Sequence, residues 1–136
     1  MITKDNWYIN EKAICWIRHI KKLAPGYYLD AYTKYAAYSH THFANDLTKD
    51  IKKIDLSKFF CISDCTPDKA DNVPGNSQID YYINLCQVYT AVNFTDTWGM
   101  APYITISFLS GYNLTVYNTE VFKTLIEALE RENHIS

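Results

Sequence analysis

The chain has 136 residues, 48% of them hydrophobic and 15% aromatic, with a formal net charge of −2. That content excludes a disordered chain, and the length is one domain's worth, enough to bury a core without staples. The opening MITKDNWYI is no signal peptide, and no apolar run approaches a membrane span, so a cytoplasmic protein without membrane contact is expected.

Charge is uneven along the chain. Residues 1–60 carry ten Lys/Arg and six Asp/Glu, whereas residues 61–136 carry three and nine. The halves therefore differ in sign, which would polarise the surface if they do not pack together. Isoleucine, lysine, asparagine and tyrosine are abundant, as AT-rich genes tend to encode, and phage and other mobile elements are common sources of such genes.

Asn10 is placed to cap a helix over 10–24, with Ala13, Ile17, Ile20 and Ala24 on one face and Pro25-Gly26 as the stop. A second helix is expected from Tyr27 toward Lys53, with Leu29, Tyr32, Ala36, Phe43 and Leu47 close to one face. Phe59 to Ile62 reads as a buried strand. Residues 64–78 read as a long polar loop, rich in Asp and Pro. The run 79–94 has both helical spacing and strand-like composition; its length favours a helix. Tyr103 to Leu109 alternates Ser/Thr with Ile104, Ile106 and Phe108, and returns through Ser110-Gly111 along Leu114 to Tyr117 as a hairpin. Asn118 or Thr119 then caps a last helix that buries Phe122, Leu125, Ile126 and Leu129. The expected fold is a single α+β domain over 1–136, about four helices on a mainly antiparallel sheet of about three strands.

Candidate chemistry is sparse. In YSHTHFAND, His42 and Asp46 share a helix face at i,i+4, while His40 points about 200° away from His42. His42, Asp46 and His40 are thus the weak catalytic candidates: a His–Asp couple can orient a general base, but a zinc site needs three or four ligands. Cys61 and Cys65 are spaced one residue too far for a dithiol or zinc knuckle, and all four cysteines read as reduced thiols, Cys15 and Cys86 as small core groups. The acids Asp64, Asp68 and Asp71 lack the spacing of a calcium loop. No glycine-rich phosphate loop or serine elbow is present. No metal or cofactor is implied, and the residues lean away from an enzyme.

Binding is the stronger expectation. Twelve tyrosines are an excess, and tyrosine is enriched in interfaces. Tyr28, Tyr35 and Tyr38 crowd the second helix, Asp64 and Asp68 are exposed candidates beside a strand edge, and Trp98 sits in a turn with Met100. These features imply a small protein-binding module of inhibitor, immunity or accessory type, with another protein as partner and a homodimer through the tyrosine helix compatible. A His/Asp/Tyr pocket for a small molecule, or a small hydrolytic site there, is one alternative. Nucleic-acid binding through Arg18, Lys21, Lys22, Lys49, Lys52, Lys53 and Lys58 is another, weakened by the net negative charge.

Overall fold

The computed structural model describes residues 2–4, 7–9, 11–21, 28–33, 37–38, 55–67, 78–95 and 98–134. A short antiparallel pair opens the chain, β1 (Ile2–Lys4) and β2 (Trp7–Ile9). A five-stranded antiparallel sheet follows, built from β3 (Ile14–Lys21), β4 (Tyr28–Thr33), β5 (Ala37–Tyr38), β6 (Phe60–Cys65) and β7 (Gln78–Ile83) in the order β5-β4-β3-β7-β6. The chain then makes a three-stranded meander, β8 (Val88–Phe94), β9 (Tyr103–Phe108) and β10 (Asn113–Val116). It ends in α1 (Phe122–His134), the one α-helix among the described residues. No helix among them is long and apolar enough to cross a membrane.

Where the first two expected helices are described, they are mainly strand. Within 10–24 the described residues form a single 3-10 turn, Glu11–Ala13, and then β3. Ile14, Cys15, Trp16 and Ile17 are all buried, which no single helix face can achieve. β3 is the central strand of its sheet, and Ile17, on the face opposite Trp16, is 0% exposed, so both faces are covered. A strand covered on both faces has no polar alternation, and its apolar residues then fit a helical row by accident. Within the expected second helix, the described stretches are β4 and β5.

The run 79–94 is not a helix either. It holds β7 and β8, joined by a 3-10 turn at Leu85–Gln87. Asn84 makes that joint: its side chain accepts from the Cys86 amide at 3.2 Å and donates to the Ile14 carbonyl at 2.9 Å. Its own amide donates to the Cys15 carbonyl at 2.9 Å. The β-branched and aromatic content of this run was the better guide than its length. About four helices on three strands is therefore replaced, among the described residues, by one α-helix and three antiparallel sheets of two, five and three strands.

The hairpin expected at 103–117 forms, in the register Ile104↔Val116 and Ile106↔Leu114. Gly111 supplies the turn with φ +94, a conformation costly for any residue with a Cβ. The C-terminal helix also forms, and Leu125 and Ala128 are its buried residues. A 3-10 turn, Thr119–Val121, leads into the helix, and Asn118 stands at the cap position of that turn without a side-chain cap bond; its side chain donates instead to the Ser63 carbonyl at 3.0 Å.

The sheets share one core. Trp16 of β3 stacks on Phe108 of β9 at 4.9 Å, and Ile62, Ile79, Tyr81, Ile83, Ile104, Ile106, Val116 and Leu125 belong to the same cluster. At the rim, an antiparallel bridge between Thr66 and Tyr117 ties the end of β6 to the end of β10.

Candidate functional site

His40, His42, Asp46, Tyr35 and Asp68 lie outside the described residues. Tyr28 belongs to β4, opposite Ile20 in the ladder, and Tyr38 belongs to β5, opposite Ala31. Neither stands on a helix. Among the described residues no three His, Cys, Asp or Glu side chains gather to hold a metal ion. The four cysteines are reduced thiols, with Cys15 and Cys65 buried and Cys61 and Cys86 exposed. Cys86 is thus no core group; its thiol donates to the Glu132 carboxylate at 2.9 Å. That bond, then partial burial and the negative charge of Glu132, push the thiol pKa up.

Asp64 and Trp98 share a backbone property. They are the two non-glycine residues with positive φ among the described residues, at 55° and 56°. Such backbone costs about 1–2 kcal/mol in a residue with a side chain, and it persists only where the surroundings or a function hold it. At Asp64 the surroundings account for it. The residue sits where β6 slips register against β7, and its amide donates at 3.0 Å to the carboxylate of Asp80, a buried acid in β7 opposite His19 of β3. At Trp98 no such fixture is found among the described residues: the side chain is 95% exposed, followed by Gly99 at φ +83.

Trp98 belongs to a larger grouping. Among the described side chains the exposed large hydrophobic ones are Tyr89, Val92, Phe94, Trp98, Met100 and Leu109. Three are in β8, and Trp98 and Met100 are in the β8–β9 connection. Leu109 follows β9, and its amide donates to the Gln87 carbonyl at 2.8 Å, which fixes it beside the start of β8. All six therefore line one strand and its two ends. Among the described residues no strand pairs on the far side of β8, so this strand is an edge.

The register explains the exposure. Ile104, Ile106, Leu114 and Val116 point into the core, so alternation sends their neighbours outward. On the outer face Val92 lies across from Thr105, and Thr105 across from Thr115; Thr90 lies across from Ser107, and Ser107 from Asn113. Phe94 stacks on Tyr103 at 5.0 Å, and Tyr103 meets Tyr117 at 5.8 Å. A β-bulge between Val88 and Thr90 leaves Tyr89 as the extra residue, 73% exposed. On the inner side, the side-chain oxygen of Asn93 is buried without a hydrogen-bond partner.

Charge is missing from this region. Between Asp80 and Glu120 the single ionisable acid or base of the Asp, Glu, Lys and Arg types is Asp96. Edge strands are usually guarded by lysine, proline or other charge; VYTAVNF has none. That gap was the signal in the sequence for Tyr89, Val92, Phe94 and Leu109, which the helical reading of 79–94 concealed. No family model, curated protein or solved structure matches the chain.

Proposed function

We propose that this chain is a protein-binding module of the inhibitor, immunity or accessory kind, acting in the cytoplasm through the edge of its three-stranded sheet. The observation that carries the reading is that, among the described side chains, the exposed large hydrophobic ones gather along β8 and its ends. Scattered exposed apolar residues are ordinary on a soluble surface; a contiguous line of them around an uncharged edge is a recognition surface. Its residue types fit as well, since Trp, Tyr, Phe and Met are the side chains that interfaces favour and charged residues the ones their centres avoid. Trp98 would be the anchor, because truncating a central tryptophan commonly costs 2 kcal/mol or more of binding.

Capture of partners in the protein's own cells tests this, with proximity labelling by the wild-type chain and by a Phe94→Ser/Trp98→Ala double variant. The variant should lose at least tenfold of any specific signal while keeping the wild-type melting temperature within a few degrees. Identical capture by both chains would remove β8 and its flanks from the binding surface.

A further inference from the structure

We infer that the occupant of the β8 edge is a second copy of this chain, paired antiparallel with β8 about a two-fold axis at Val92. The inference rests on the protein-binding reading above and names its partner. Beyond the bulge, the regular ladder of β8 runs from Thr90 to Phe94, and its centre is Val92. A two-fold axis there sets Thr90 opposite Phe94 of the second copy, Ala91 opposite Asn93, and Val92 opposite itself.

Three properties favour a copy of the same chain. First, like charges directly opposite one another destabilise a strand pair, and β8 carries none. Self-pairing therefore meets no electrostatic penalty, whereas a charged edge would forbid it. Second, the two ends of β8 are unlike and both apolar. Phe94, Trp98 and Met100 lie at its C-terminal end, and Tyr89 and Leu109 at its N-terminal end. Antiparallel pairing lays the tryptophan end of each copy against the leucine end of the other, so every exposed apolar group meets one, twice over. Third, the size is right for a reversible self-association. A seven-residue strand is roughly 23 Å long, and with its flanking aromatic and aliphatic side chains it would bury on the order of 600 Å² per copy. That is below the ~800 Å² per partner of a standard interface and places the dimer in the weak, micromolar class rather than among obligate dimers. The product is a continuous six-stranded sheet whose outer face joins both Phe94–Tyr103–Tyr117 aromatic rows.

Analytical ultracentrifugation of the full chain over a concentration series decides it, with two variants. The wild type should show a monomer–dimer equilibrium in the micromolar range. Val92→Lys sets two ammonium groups opposite each other on the axis and should weaken dimerisation at least tenfold without lowering the melting temperature. Thr115→Lys places the same charge on the same face two strands away, and should leave the dimer unchanged. A wild-type monomer at every concentration up to the millimolar range overturns the inference. So does a dimer that Thr115→Lys breaks as readily as Val92→Lys, which would mean that the sheets stack face to face. If the chain is monomeric yet captures another protein through Phe94 and Trp98, the second copy is excluded and the protein-binding reading stands.

Discussion

The two sheets treat their strands differently. β3, at the centre of the five-stranded sheet, has apolar residues buried on both faces; β9, at the centre of the three-stranded sheet, alternates buried Ile104, Ile106 and Phe108 with partly exposed Tyr103, Thr105 and Ser107. The first sheet has a central strand covered on both faces, and the other sheet has a wet face and, among the described residues, an open edge. Stability therefore belongs mainly to the first and to the inner face of the second. The outer face and the edge of the second are free to serve recognition, because changes there cost the fold little.

A pair of alanine substitutions breaks or upholds that contrast. Ile17→Ala, in the doubly covered strand, should cost about 2–4 kcal/mol, transfer and cavity terms together. Val92→Ala, on the open face, should stay within about 1 kcal/mol in the monomer. Urea unfolding at low protein concentration reads both, and equal losses would show that the open face is not open. Within the open sheet, Trp98→Gly sharpens the picture. It removes the strained left-handed backbone of an exposed residue and should raise monomer stability by up to about 1 kcal/mol, while weakening binding. A loss of stability would mean that the indole packs.

The smallest effect lies at the turn between the two sheets. Glu132→Gln removes the carboxylate that accepts from the Cys86 thiol. Because that bond favours the protonated thiol, its contribution to folding is complete below the ordinary thiol pKa. It is lost as pH rises through the raised value in the folded state. The variant should therefore react with iodoacetamide a few-fold faster than wild type at mildly alkaline pH, with almost no change in stability at pH 7. An unchanged rate at Cys86, read by peptide mass spectrometry, would contradict the bond.

How much of this was legible follows the same contrast. The β9–β10 hairpin could be read because water on one face imposes a period of two on the residues. α1 could be read because Leu125 and its neighbours are spaced for one buried stripe. β3 could not, since cover on both faces erases the period and leaves an apolar run that suits either element. The joint at Asn84 hid β7 and β8 for another reason: a side chain capping a single 3-10 turn separates two strands without any glycine or proline to mark the break. Of the candidate residues, Trp98 could be placed in a turn with Met100, but whether its indole is exposed or buried was not legible; the structure exposes it. Asp64 was legible only as an exposed acid, and its backbone role at the bulge needs the partner Asp80, which lies 16 residues away.

The same Asn84 joint governs the order in which the chain can complete itself during synthesis. Its side chain reaches back to Ile14 and Lys12, 70 and 72 residues earlier. At roughly 5–20 residues per second on the ribosome, β3 emerges several seconds before β7 and Asn84 exist to cover it. This strongly apolar strand is thus made early and sheltered late, leaning meanwhile on its local neighbour β4. The meander from β8 to β10, closed by short loops, has no such wait.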